Sequence, residues 1–288
     1  MTLLPARSAL RLLLGTTVAA AALVLAGCAP ASTDGVVSGS SDAGSAAPNS
    51  GLTLAEVVES GTLTVGTEGT YPPFSFHADG GTGALTGYDI DVVTAVAKKL
   101  GVEPQFEETQ WDAMFAGLDG GRFDVIANQV SINDQRKAKY DLSEPYSVSP
   151  GVVIVPSSDT SIAALSDLKG KSTAQSLSSN WYTVAQQNGA TVQGVEGWAE
   201  AIALVEQGRV DATVNDRLTW LDWSKTFPDK AAAVKVAVTT DDTSKSALAL
   251  PKGSDDLTAA IDSALDSLRA DGTLAQISNR YFGADVSQ

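Results

Sequence analysis

The sequence predicts an α/β protein built as two lobes, and three observations lead there. Short apolar stretches such as Val65-Gly66-Thr67 alternate along the body of the chain with helical patterns such as Ile90, Val93, Val96, Ala97 and Leu100. Such alternation belongs to α/β architectures with mainly parallel sheets. Of 288 residues, 43% are hydrophobic and 18% charged, a globular composition with ample core material. The body of roughly 235 residues is more than one core comfortably organises, so two lobes are expected.

The first segment is an address. Residues 1–27 contain no acid; Arg7 and Arg11 precede a run of apolar and small residues over 12–27, and Cys28 follows. This order describes an export signal, and the run is shorter than the ~20 residues that a membrane-spanning helix needs. Leu25-Ala26-Gly27-Cys28 resembles the bacterial lipobox, where the signal is removed and the Cys28 sulfur takes a diacylglyceryl chain. The alternative is an ordinary secretory signal or anchor with an incidental cysteine. A lipid chain, at about 0.8 kcal/mol per buried CH₂, would hold the protein to the extracytoplasmic face of the membrane. Residues 28–51, rich in Ala, Ser and Gly, read as a flexible tether reaching about 25 Å.

In the body, residues 54–59 read as a short helix stopped by Ser60-Gly61, followed by a strand around Val65. The apolar spacing from Ile90 predicts a helix ending at Gly101, residues 111–118 a second, and residues 124–127 a short buried strand. After a strand at 152–155, helices are expected at 162–168, 181–188, 199–207 and 217–226, with a strand at 210–214. Leu257, Ile261, Leu265 and Leu268 predict a long amphipathic helix near the end.

A net charge of −15 argues against binding nucleic acid or anionic membrane through a basic face. The single cysteine and single histidine leave no internal disulfide, no Cys/His zinc site and no thiol–imidazole pair in the body, so no metal or cofactor is expected. His77, before Asp79-Gly80-Gly81-Thr82-Gly83, reads as a solvated hairpin histidine, and that turn lacks the phosphate-loop pattern. More informative is the segment from Asn128-Gln129 through Ser131 to Arg136. Here a buried strand ends and uncharged hydrogen-bonding residues lead into a helix carrying an arginine. Free N–H groups, a hydroxyl and a guanidinium suit a carboxylate, although an N-cap with a surface arginine has the same pattern. Asn215-Asp216 ends another strand, placing an anion where α/β sheets bind ligands, or simply capping a helix. Tyr71, Phe74 and Trp111 read as core or as walls.

Several motifs occur in order: Val65-Gly66-Thr67-Glu68-Gly69-Thr70-Tyr71-Pro72-Pro73-Phe74, Gly87-Tyr88-Asp89-Ile90-Asp91, Asp134-Gln135-Arg136-Lys137, Gly208-Arg209-Val210-Asp211-Ala212 and Tyr281-Phe282-Gly283. Through them, residues 62–283 resemble the family 3 extracellular solute-binding proteins, amino-acid-binding subunits of ABC importers. Thr109-Gln110-Trp111-Asp112, Asn128-Gln129-Val130, Ser179-Asn180-Trp181 and Val195-Glu196-Gly197-Trp198 are most similar to the cystine-binding branch. The resemblance implies a Venus-flytrap fold with two hinge crossings, near 144–148 and 245–249. Lobe one is then 52–146 plus 247–283, and lobe two 147–246.

The same resemblance implies that Arg136 clamps the ligand α-carboxylate beside Ser131 and that Asp216 receives the α-ammonium. Tyr71 and Trp111 wall the cleft, and Gln129 offers its backbone. Glu68, Asn128, Asn180 and Asn215 complete the expected set. Where many relatives carry a glycine-containing loop, this chain has Ser176-Leu177-Ser178-Ser179-Asn180. Arg136 and Asp216 fall on different lobes, so a zwitterion would bridge them and favour closure. The expected ligand is L-cystine, its far end met by the neutral amides of Asn128, Gln129, Asn180 and Asn215. Glutamine or another polar amino acid is the alternative. The expected partners are an ABC permease and, through the anchor, the membrane; the expected state is a monomer. Competing classes are a dehydratase on the same fold, with Glu68 or His77 as acid–base group, and a sensor domain. Replacing the lipidation residue, Cys28→Ala, is expected to move the protein out of the membrane fraction and abolish labelling by radioactive fatty acid; label on that variant would contradict the lipobox reading.

Overall fold

The structure, a computed structural model, describes residues 51–288. The expected signal 1–27, the lipidation position Cys28 and the tether up to residue 50 lie outside the described residues. At the start of α1 (Leu54–Ser60) the Thr53 hydroxyl accepts a bond from Glu56 N, and the Glu56 carboxylate accepts one from Thr53 N. This reciprocal cap satisfies two donors that a helix start leaves free. Gly61, at φ 71°, ends the helix in the left-handed conformation that glycine adopts without a Cβ penalty.

There follow β1 (Thr62–Thr67), a small meander of β2 (Thr70–Tyr71), β3 (Ser75–His77), the turn α2 (Ala78–Gly81) and β4 (Leu85–Thr86), and then α3 (Tyr88–Leu100). Next come β5 (Glu103–Glu108), α4 (Trp111–Asp119), β6 (Val125–Ser131), the single turn α5 (Asp134–Lys137) and β7 (Tyr140–Leu142). The central part comprises β8 (Ser147–Pro156), β9 (Ser172–Gln175), α6 (Asn180–Gln187), β10 (Thr191–Gly194), α7 (Trp198–Glu206), β11 (Thr213–Asp216), α8 (Arg217–Thr226) and α9 (Pro228–Ala231). The chain then returns through the long β12 (Val234–Pro251) to α10 (Asp255–Ala270) and α11 (Thr273–Phe282).

The main sheet runs β11-β8-β12-β6-β1-β5, with β7 also on β12. β1 is parallel to β5 and β6, and β9 is parallel to β10, as the alternation predicts. The long middle strands correct the expectation of mainly parallel sheets: β12 is antiparallel to β6, β7 and β8, and β8 to β11. A chain that leaves one half and later returns must make its two crossings in opposite directions, and here they pair, Ser147 with Ser246 and Val148 with Lys245.

Packing follows that route. Leu63, Val65, Phe74, Val92 and Val96 share one core with Leu257, Ile261, Leu265 and Leu268 of α10, so the two ends of the described chain are buried together. Val152, Ile154, Trp198, Ile202, Val205 and Trp223 form another. Tyr71 packs against both. The helix expected over 162–168 shrinks to a 3-10 turn, Leu165–Leu168. Asp159 accepts from the amides of Ser161 and Ile162, and Asp167 from those of Ala163 and Ala164, so side chains take donors that a helix would use. The strand expected over 210–214 lies at Thr213–Asp216 instead, because Asp211 is tied by its backbone and side chain to Ser172.

Gly66 and Gly117 admit the ring of Phe123: a Cβ would meet ring carbons at 2.5 Å and 2.6 Å, respectively. Gly66→Ala is therefore expected to destabilise the protein by about 1–3 kcal/mol through overpacking, measured by urea unfolding; an unchanged midpoint would show that the ring can retreat.

Candidate functional site

A cavity of about 290 Å³ opens between the elements of the two cores. From the N-terminal part come Glu68, Tyr71, Trp111, Asn128, Gln129 and Ser131; from the central part come Asn180, Asn215 and Asp216. These expected residues, distant in sequence, are thus brought together. Arg136 lies behind the wall instead. The strand expected to stop near residue 127 runs on through Ser131, and α5 is a single turn whose Asn133 cap accepts Arg136 N. The guanidinium donates to Ser131 O at 2.9 Å and, at 3.4 Å, to Ser178 O across the cavity. Its carbon lies 5.3 Å from the Trp111 ring and 5.2 Å from that of Phe115. Burial lowers its pKa to about 10, which leaves it a cation at neutral pH.

The cavity wall is acidic, with Glu68, Glu196, Glu200 and Asp216 and no Lys, Arg or His. Asp216 ends β11 and caps α8, accepting Ser149 Oγ at 2.7 Å and Leu218 N at 2.8 Å; burial nevertheless raises its pKa to about 6. Glu68 accepts Asn128 Nδ2 at 2.6 Å, and burial raises it to about 7, with Asp112 and Glu196 adding repulsion. No cation pairs with either carboxylate among the described residues.

Sequence reasoning missed Asp89 as a site residue. It is fully buried in the first turn of α3 and accepts both Gln129 N at 2.8 Å and Gln129 Nε2 at 2.7 Å; burial raises its pKa to about 7. The signal was present: Asp89 falls on the same helical stripe as Val92, Val93 and Val96, so an acid lies on an apolar face. The bonds from Asp89 hold Gln129 at φ 51°, a conformation costly for a residue with a Cβ. Ser147 Oγ donates to Gln129 Oε1 at 2.9 Å and completes the clamp.

Much of two expected amides is engaged within the protein: Gln129 Nε2 donates to Asp89 and its Oε1 accepts from Ser147, while Asn128 Oδ1 accepts from Thr67 and Glu68 N and its Nδ2 donates to the Glu68 carboxylate. Asn215 Oδ1 accepts from Tyr71 Oη at 3.2 Å and from Asp216 N at 2.7 Å. Asn180 opens α6, behind the Ser179 cap, and Ser178 is held from the far side by Asp112. Three other lining side chains carry buried donors without partners: Trp111 Nε1, Gln175 Nε2 and Trp198 Nε1. His77 lies apart on β3, bonded to Gly83 O and Glu108. Among the described residues no cluster of His, Cys, Asp and Glu is arranged to hold a metal ion.

Comparison with known proteins fits this geometry. Residues 63–284 match the model of the bacterial extracellular solute-binding proteins, family 3. The chain is 47% identical over 234 residues to the L-cystine-binding protein TcyA of Bacillus subtilis, covering 81% of this chain and 86% of that protein. The L-cystine solute receptor of Neisseria gonorrhoeae, in its unliganded open conformation, is 46% identical with a TM-score of 0.56, covering 82% of this chain and 99% of the receptor. An ancestral arginine-binding protein bound to glutamine is only 36% identical, yet has a TM-score of 0.72 over 77% of this chain and 98% of its own. The liganded neighbour thus matches better in shape than the open one, in keeping with the bonds that cross the cavity from Tyr71 to Asn215 and Thr219 and from Arg136 to Ser178. In sequence, fold and cleft, this chain belongs to the bacterial extracellular solute-binding proteins of family 3.

Proposed function

We propose that this protein is a lipid-anchored receptor on the outer face of the bacterial membrane that captures L-cystine and delivers it to an ABC permease. The observation that carries the reading is a pair of recessed acids on the cavity wall, Asp216 and Glu68, that no cation of the described residues pairs with, while the guanidinium of Arg136 lies behind the wall. A ligand with two ammonium groups can pair one with each acid, whereas glutamine carries one. Similarity to cystine-binding proteins favours cystine over other amino acids with two cationic groups. Tyr71 and Trp111 supply aromatic faces for its disulfide, with sulfur–aromatic contacts of about 0.3–1.5 kcal/mol.

At the near end, Arg136, Ser131 and the start of α6 take the α-carboxylate, and Asp216 takes the α-ammonium. The long bond from Arg136 to Ser178 O is the one that a ligand replaces. The lobes are 52–146 with 247–283, and 147–246, hinged where Ser147 pairs with Ser246. A ligand held by Arg136 and Asp216 spans them and stabilises closure. Similarity to solute-binding proteins supports a binder rather than an enzyme.

Adding L-cystine is expected to raise the melting temperature, and dithiothreitol to erase the rise by cleaving the ligand, since residues 51–288 contain no cysteine. A rise that survives reduction, or a larger one with glutamine, would remove cystine as the ligand. Arg136→Ala and Asp216→Ala are each expected to cost about 2–5 kcal/mol of binding free energy in calorimetric titration; a change below about threefold would exclude the residue concerned from the site.

The acids also set a pH dependence. Without ligand they titrate near 7 and 6, so acidification protonates them, and an ammonium binds only the ionised forms. Affinity should therefore be greatest near about pH 8 and fall towards about pH 5, with protons released on binding between the two. Titration in buffers of different ionisation enthalpy measures that release; constant affinity across the range would contradict it.

A further inference from the structure

We infer that the N-terminus of α7, together with Gln175 Nε2 and Trp198 Nε1, forms a second carboxylate subsite in the same cavity, which receives the far end of a two-ended amino acid. This rests on the ligand reading above and sets the far end at α7 rather than at the amides of Asn128 and Gln129, which bond to Glu68, Asp89 and Ser147.

The first turn of α7, from Trp198 to Ala201, lines the cavity, and its cap residue Gly197 offers no side chain to the free N–H groups. A helix start of this kind favours an anion through both its unpaired donors and its dipole. Two side chains beside it point to the same chemistry independently. Gln175, 3% exposed, has its Oε1 engaged by Thr173 Oγ1 at 3.0 Å, while its Nε2 has no partner among the described residues. Trp198, 6% exposed, likewise has an unpaired indole N–H. Leaving two donors buried and unbonded is costly, and a carboxylate is the acceptor that can take both together with the helix amides.

The surroundings determine which carboxylate. Glu68 faces this helix start from the N-terminal part: a Cβ placed on Gly197 would be 3.8 Å from Glu68 Oε1. Glu196 and Glu200 flank the turn, with the Glu200 carboxylate accepting Glu196 N at 3.2 Å. A bare anion would meet these acids unshielded. A zwitterionic end brings its own ammonium to Glu68 and sets its carboxylate on the helix. The subsite therefore selects for an amino-acid group at the far end and does not serve a plain acid or a plain amine.

The test compares L-cystine with the L-cysteine–cysteamine mixed disulfide, which keeps the disulfide and both ammonium groups but lacks the far carboxylate. By calorimetry the wild-type protein is expected to bind cystine about 10- to 100-fold more tightly, the range for losing charge-assisted bonds in a desolvated site. In Gln175→Leu and in Trp198→Phe that preference should shrink, with cystine weakened and the mixed disulfide altered by less than about twofold. A wild-type protein that binds both equally would overturn the subsite and leave the ligand reading intact; one that binds neither would overturn both. Variants that fold and retain the full preference also overturn the subsite, and the wild-type comparison decides if neither variant folds.

Discussion

Three carboxylates, those of Glu68, Asp89 and Asp216, are held away from bulk water around one cavity, and each is compensated differently. Burial alone pushes a carboxyl towards neutrality, and all three are displaced upwards from their ordinary range. Asp89 is answered internally by the backbone and side chain of Gln129, which makes it a strut for the cavity floor. Asp216 has a hydroxyl and a helix amide, and Glu68 a single amide, so both retain capacity for a cation from outside. The protein thus keeps a cavity that is electrostatically incomplete when empty.

That incompleteness is coupled to the architecture by the two antiparallel crossings. Ser147, the first residue of β8, holds Gln129 and pairs with Ser246 of β12, so the cavity floor and the paired crossings share residues. Arg136 with Ser178, and Tyr71 with Asn215, join the elements on either side of the cavity. Among these cross-cavity bonds, the one from Arg136 to Ser178 O is long, at 3.4 Å.

The parts legible in the sequence are those governed by local periodicity. The stripe of Leu257, Ile261, Leu265 and Leu268 becomes the buried face of α10, and the helix expected over 217–226 is α8. The strand expected over 124–127 extends to Ser131, beyond the point where Asn128, Gln129 and Ser131 look like a polar exit. They remain in β6 because β1 and β12 flank it and the buried partners Thr67 and Asp89 satisfy the polar groups. The segment at 162–168 failed in the opposite sense, where local carboxylates outbid a helical pattern.

The α/β class, most helices, the charge class and, through the motifs, the family and most of the residues that surround the cavity follow from the order of amino acids alone. Periodicity and motif spacing record what a residue's near neighbours require, and these features depend on little else. Which polar groups have partners follows instead from contacts between distant elements. Asn128 and Gln129 read as open polar groups in the sequence and bond to Glu68 and Asp89 in the fold, whereas the buried Gln175 and Trp198 have unpartnered donors. The reason is that hydrogen-bonding capacity is settled between elements far apart in the chain, as when Asp89 meets Gln129 forty residues away, and burial then makes the remainder count.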